Sequence, residues 1–226
     1  MRIPLQKKEI ARGFQYLLFE LVFLGPLVTM ILRFFFPGVA PAYVNFVYFA
    51  VNFISVGLIF RRYLVFTYRV SKKIIPKILA AAGIGFVIYW VLSFLLQFSI
   101  DKVAPNFYNI NDAAIAQDSR KNYWLTALGA VLLVPMVEEV LHRGLVFGVL
   151  LPKGRLLAYS VSTCLFAFIH IMGYIGLYSP WHLLLCFVQY IPAGLVLAWA
   201  YDYCGSIFAP IAIHTAVNII AIVNLR

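Results

Sequence analysis

Three hydrophobic stretches in the second half of this sequence are interrupted by side chains that can exchange protons or donate hydrogen bonds. They are carboxylates, imidazoles, a guanidinium and an amide: Glu138, Glu139 and Arg143 in the first stretch, His170 in the second, and His214 with Asn218 in the third. An ionisable side chain at membrane depth costs about 3 kcal/mol or more, so it is expected only where it is paired, hydrated or used in chemistry. Polar residues on three hydrophobic segments therefore predict an assembled site.

Helical spacing predicts which of these side chains face one another. Residues four apart share a helix face, whereas neighbours in sequence diverge by about 100°. Glu139 and Arg143 are therefore expected to pair, because each neutralises a charge that is costly to bury alone. Glu138 points elsewhere, along the face that also carries His142.

The other candidates are expected to converge if their three helices pack together. His214 and Asn218 share one face of the last segment, and His170 lies one turn after Phe166. Together with Glu138, they would then line one cavity.

The three groups also resemble a known family, the CAAX prenyl endopeptidase and bacteriocin-processing (CPBP, or Abi) intramembrane proteases. The family pattern is EExxxR, then FxxxH, then HxxxN, each on its own transmembrane helix. In this sequence the pattern reads Glu138-Glu139…Arg143, Phe166…His170 and His214…Asn218. The resemblance covers about residues 122–226, which makes this the expected catalytic half. His142 stands at a variable position where an apolar or aromatic residue is expected, so its role stays open.

The resemblance implies a role for each motif residue. Peptide hydrolysis requires an activated water and a group that stabilises the oxyanion. By resemblance, Glu138 and His170 hold and deprotonate the water, and His214 and Asn218 donate hydrogen bonds to the oxyanion. Glu139 holds Arg143, and a direct role of this glutamate in substrate binding remains an alternative.

A metal site is the main mechanistic alternative. Glu138, His170 and His214 are a donor set that could hold Zn²⁺ and leave a fourth position open. The HExxH signature is absent, and Asn218 is a poor zinc ligand but a good hydrogen-bond donor. We therefore expect a metal-free mechanism that depends on glutamate and needs no cofactor.

The composition predicts an all-α, polytopic transmembrane bundle in a single domain over residues 1–226. Of the 226 residues, 64% are hydrophobic and 12% are charged, and the mean hydropathy is +0.93. Each apolar segment has close to the roughly 20 residues that span hydrocarbon. The seven segments run at about 14–36, 42–60, 77–98, 123–151, 156–174, 182–203 and 206–225. The fourth is long enough to be tilted, broken near Pro135, or divided in two, so we expect seven or eight helices.

The net charge of +10 indicates topology rather than nucleic-acid binding. Basic residues precede the first apolar segment and fill the connection at 61–77, and no nucleic-acid-binding motif accompanies them. Short basic connections are typical of the cytoplasmic side. We therefore expect a multi-pass plasma-membrane protein with a cytoplasmic amino terminus, and the polar connection at 99–121 on the opposite side.

The predicted function is intramembrane hydrolysis of a membrane-embedded or membrane-associated peptide or protein. The compact chain suits a bacterial protein, for which a leader peptide, pheromone or bacteriocin precursor is the expected substrate. One alternative is a non-catalytic membrane partner, such as a bacteriocin self-immunity protein or a regulator of a sensor kinase. A proton-coupled transporter is another, although no internal repeat supports it. Glu20, in the first apolar segment, is expected to be an interfacial or structural acid rather than a part of the site.

Overall fold

The computed structural model describes residues 5–225, and these residues form eight helices and no β-sheet. The predicted all-α class is confirmed. The helices are α1 (Lys7–Phe35), α2 (Pro41–Ile59), α3 (Arg61–Ser71), α4 (Ile75–Val103), α5 (Ile110–Lys153), α6 (Arg155–Met172), α7 (Pro180–Cys204) and α8 (Phe208–Val223).

Seven of these helices match the seven predicted apolar segments. Helices α1, α2, α4, α5 and α7 are long and apolar enough to cross a membrane, whereas α6 and α8 are shorter apolar helices. Large apolar side chains are exposed on the outside of the bundle, including Leu156 at 82% and Phe34 at 79%. Such a surface is suited to lipid rather than water, and the chain is an integral membrane protein.

The eighth helix is α3, which lies in the region predicted as a basic connection. Its inward face carries Tyr63, Thr67 and Ser71, which are four residues apart and buried, while Arg61 and Arg62 are exposed. A four-residue spacing places these small and aromatic side chains on one stripe. The segment is therefore an amphipathic helix, and the prediction of a simple connection was wrong.

The polar region at 99–121 is also mostly helical rather than a loop. Helix α4 continues to Val103, and α5 begins at Ile110, well before the predicted apolar segment. The start of α5 is stabilised by Asn109, whose side chain accepts hydrogen bonds from the backbone N–H groups of Asn111 and Asp112. This N-cap allows a polar sequence to remain helical.

Helix α5 is not broken at Pro135, and it is not divided in two there. Its backbone departs from helical geometry at Asn122 (φ −146°, ψ 62°), and it contains π-helical turns at Gly129–Leu133 and Val140–Phe147. Proline has no N–H, so a carbonyl one turn earlier loses its helical partner. The π-helical turn before Pro135 lets the helix continue past the proline.

The core surrounds the second π-helical stretch of α5. All eight residues from Val140 to Phe147 are buried, and α1, α6 and α7 pack around them. Helix α4 packs against α7 and α8, and α8 packs along the middle of α5. The three motif-bearing helices, α5, α6 and α8, therefore meet inside the bundle.

Candidate functional site

The centre of the site is the carboxylate of Glu139, which is fully buried. Its Oε1 atom accepts a hydrogen bond from Arg143 Nη1 at 3.0 Å, which confirms the predicted pairing along one face of α5. The same oxygen accepts a hydrogen bond from His214 Nδ1 at 2.9 Å. Glu139 therefore joins the first and third motifs, a contact that the spacing within each helix does not predict.

Arg143 also connects α5 to α7. Its Nη2 donates to the backbone carbonyl of Gly194 at 3.1 Å. A Cβ atom on Gly194 would lie 2.6 Å from the side chain of Thr163 on α6, so only glycine permits this close packing. Gly194 carries no sequence signal of this role, because the contact joins residues 51 positions apart.

The ring of Phe166 explains why the second motif contains a phenylalanine. The Arg143 guanidinium lies over this ring, 4.5 Å from its centroid, in a cation–π contact. The rings of His142, His170 and His214 surround the same phenylalanine at centroid distances of 5.6, 4.7 and 5.8 Å. Phe166 is therefore the apolar centre around which the charged and imidazole side chains are arranged.

Hydrogen bonds define the orientation of the histidine rings. His170 Nδ1 lies 2.7 Å from the Phe166 carbonyl, and His142 Nδ1 lies 2.8 Å from the Glu138 carbonyl. Because carbonyls only accept, both Nδ1 atoms carry hydrogen, as does His214 Nδ1 beside the Glu139 carboxylate. Each neutral ring therefore presents Nε2 as an acceptor.

Glu138 differs from its neighbour Glu139 because its side chain is partly exposed and borders a cavity. Its side chain is 18% exposed, and Oε2 lies 4.0 Å from His214 Nε2. This Oε2 atom is buried and has no hydrogen-bond partner within residues 5–225. Glu138 also lines a small cavity together with Glu20 of α1, so Glu20 lies beside the site.

Asn218 and Thr215 bind the backbone of α5 from α8. Asn218 Nδ2 donates to the Ala130 carbonyl at 2.7 Å, and Thr215 Oγ1 donates to the Val131 carbonyl at 3.3 Å. The Ala130 and Val131 carbonyls lie five and four residues before Pro135, whose missing N–H removes one helical donor from this turn. One of the two amide hydrogens of Asn218 is therefore used in packing, and the other is free for a ligand.

His170 lies against Tyr190, a residue for which no role was predicted. The two rings are stacked with centroids 4.0 Å apart. The Tyr190 hydroxyl lies within 3.4 Å of Asn109 and Asp112 at the start of α5 and accepts a hydrogen bond from Asn111. A polar network therefore extends from the His170 side of the site to the amino-terminal end of α5.

The structure thus brings the predicted residues together to different degrees. Glu138 and His214 are close, while His170 shares the Phe166 ring with His214. Asn218 follows His214 by one turn, but its hydrogen bond goes to Ala130. His142 bonds to its own helix, to the carbonyl of Glu138.

The described residues do not form a preassembled metal site. Within the part of the chain that the structure describes, no three His, Cys, Asp or Glu side chains are placed so that they could hold one metal ion. In a neutral ring, Nε2 of His170 or His214 would be the acceptor that a metal ligand requires. The absence of a cofactor therefore stays a prediction.

Comparison with protein-family models links this geometry to a family. Residues 120–220 match the model described as type II CAAX prenyl endopeptidase Rce1-like. This match confirms the predicted resemblance to the CAAX prenyl endopeptidases. The matched region begins within α5, ends within α8 and contains all three motifs. No curated protein and no solved structure matched the chain.

The family resemblance implies a class of activity. A CAAX prenyl endopeptidase is a protease, and the helices of this chain place the matched region in the membrane. The implied substrate is accordingly associated with the membrane.

Proposed function

We propose that this protein is an intramembrane endopeptidase in which Glu138 activates a water molecule. The observation that supports this most directly is the unpartnered carboxylate oxygen of Glu138, which lies 4.0 Å from His214 Nε2 inside the bundle. A buried carboxylate oxygen without a partner is costly in a low-dielectric environment. A water bound there removes that cost and is in a position to react.

The first step is attack of water on the substrate carbonyl. One O–H hydrogen bonds to Glu138 and the other to His170 Nε2, which leaves the oxygen lone pairs free. As the O–C bond forms, the proton moves to Glu138. The same proton then passes to the leaving amine as the C–N bond breaks.

The oxyanion is stabilised by His214 and Asn218. Because Nδ1 of His214 donates to Glu139, its Nε2 donates only when the ring is protonated. The Glu139 carboxylate, which is ion-paired with Arg143, stabilises this imidazolium. Asn218 contributes the amide hydrogen that does not bond to Ala130.

The substrate class is a membrane-associated peptide or protein. We propose an unprenylated precursor, such as a leader peptide, pheromone or bacteriocin, processed in the plasma membrane of a bacterium. In this arrangement the amino terminus and the basic helix α3 face the cytoplasm, where positively charged segments accumulate. A single cysteine introduced at Arg61, tested with an impermeant thiol reagent, reports this orientation.

The test is cleavage by the purified protein in liposomes. We would offer a farnesylated CAAX peptide and a panel of unprenylated, membrane-anchored peptides to the wild type, Glu138→Gln and Asp118→Asn. Asp118 is a matched control because its carboxylate, bonded by Asn45, lies outside the site. We expect wild type and Asp118→Asn to cleave an unprenylated peptide and Glu138→Gln to fail. Equal cleavage by Glu138→Gln would contradict the role of this residue and favour a non-catalytic membrane partner.

A further inference from the structure

The first membrane helix contributes a half-buried acid, Glu20, which the proposed mechanism does not use. Glu20 lies at the start of a π-helical turn, Glu20–Leu24, within α1. The hydroxyl of Tyr48 on α2 donates a 2.5 Å hydrogen bond to Glu20 Oε1. Short π-helical turns inside α-helices are frequent at functional sites because they displace the helix face.

A second hydrogen bond, one helical turn away from the first, also joins α1 to α2. Tyr16 donates to Asn52 Oδ1 at 2.5 Å, and Asn52 lies one helical turn after Tyr48. Asn52 is only 3% exposed. The polar side chains of α1 and α2 therefore hydrogen bond to each other and form one wall of a cavity that also borders α5.

This wall and Glu138 line a partly open cavity of about 40 Å³. Its lining is Glu20, Tyr48, Phe49, Asn52, Val134, Val137 and Glu138. A cavity holds an ordered water when it exceeds about 10–15 Å³ and offers two or more polar partners. This cavity is large enough, and the polar side chains of Glu20, Tyr48, Asn52 and Glu138 supply the partners.

We propose that the cavity binds water between Glu20 and Glu138, and that Glu20 is a positioning residue for hydrolysis. The positioning role rests on the proposed function, whereas the water site does not. The two carboxylates line the cavity from α1 and from α5. A water between them can hydrogen bond to both.

The charges around the pair are consistent with this arrangement. Tyr48 faces Glu20 from α2, while His214 faces Glu138 from α8. Arg143 hydrogen bonds to Glu139 and Gly194, and among residues 5–225 no salt bridge joins it to Glu138 or Glu20. The cavity water thus keeps the Glu138 carboxylate oriented and hydrated.

Activity measurements test the positioning role. In Glu20→Leu the cavity loses its second polar wall, and we expect kcat to fall about tenfold to a hundredfold with KM unchanged. Glu20→Gln still binds water through its amide, so it should restore most of kcat. Asp118→Leu is the matched control, since its carboxylate also bonds to α2 but lies outside the cavity. Equal kcat in wild type and Glu20→Leu would overturn the role, as would equal loss in Glu20→Gln and Glu20→Leu.

X-ray hydroxyl-radical footprinting tests the water site without a substrate. Radicals formed from bound water label adjacent rings, so Tyr48 and Phe49 should be labelled in the wild type and less so in Glu20→Leu. Tyr63, which is 3% exposed in the core, serves as the internal control. Labelling of Tyr48 no stronger than that of Tyr63 would overturn the proposal. If the wild type cleaves no substrate, the endopeptidase function fails, and footprinting alone decides the water site.

Discussion

The two faces of α5 that carry the adjacent glutamates differ in the exposure of their carboxylates and in the partners that bind them. On one face Glu139 is fully buried and accepts hydrogen bonds from Arg143 and His214. On the other face Glu138 is partly exposed and borders a cavity. A fully buried carboxylate that is ion-paired with an arginine stabilises the packing, while a carboxylate that borders a cavity can bind and activate water. Neighbouring residues of the same type thus serve packing and chemistry separately.

The largest expected effect is the loss of activity in Glu138→Gln. Removing the base while preserving volume should lower turnover by about 10²–10⁴. Stability should be unchanged or higher, because an amide is less costly to bury than a carboxylate. Turnover in liposomes and melting in mild detergent measure the two effects. If Glu138→Gln were destabilised but kept normal turnover, Glu138 would have a structural role, and the two faces of α5 would not differ in function.

Asn218→Ala should be the next most severe change. Loss of one oxyanion donor typically lowers the rate by about 10²–10³. Thr215→Val is the matched control, because it also removes a side-chain hydrogen bond from α8 to α5 but leaves the amide in place. If both variants lose activity equally, Asn218 acts through packing, and its assignment as an oxyanion donor is wrong.

Asn218→Ala also distinguishes the metal-free mechanism from a zinc mechanism. A zinc site would use Glu138, His170 and His214, and would leave Asn218 nearly dispensable. We expect activity to survive exhaustive chelation. Stoichiometric zinc in the purified protein, with activity that is lost on chelation and restored by zinc, would contradict the metal-free mechanism.

Arg143→Ala tests the structural face of α5. It leaves the Glu139 carboxylate buried without its guanidinium partner, which should lower the free energy of unfolding by about 3–5 kcal/mol. Arg155→Ala is the control, because its side chain is 76% exposed in an ion pair with Asp202. Removal of such an exposed partner should cost about 1 kcal/mol or less. Denaturant unfolding in detergent would show whether Arg143→Ala lowers the free energy of unfolding more than Arg155→Ala does.

His142→Phe should have the smallest effect. His142 Nε2 is buried without a hydrogen-bond partner in the described residues, and its ring packs edge-on against Phe166. Phenylalanine keeps the ring contact and removes the unsatisfied nitrogen, so stability should change by about 1 kcal/mol or less. Turnover near that of the wild type would confirm a packing role. A large loss of turnover would instead add His142 to the catalytic residues.

Several features were predictable because they depend on local spacing. Two side chains four residues apart on a helix lie close together regardless of the tertiary fold, so the Glu139–Arg143 pair could be predicted from the sequence alone. The apolar segments followed from composition, since only helices of that length satisfy their backbone within lipid. The continuity of α5 past Pro135 was not predictable in this way, because the carbonyls near the proline receive hydrogen bonds from α8.

The sequence by itself determined the membrane-helical class, the residue types available for chemistry and the family that they resemble. Only the tertiary structure decided how those residues share their partners. It joined His214 to Glu139, used one hydrogen of Asn218 in helix packing, and placed Glu20 at the cavity beside Glu138. These contacts join residues 75, 88 and 118 positions apart. Helical periodicity relates only neighbouring turns, so such distant contacts arise from the packing of whole helices.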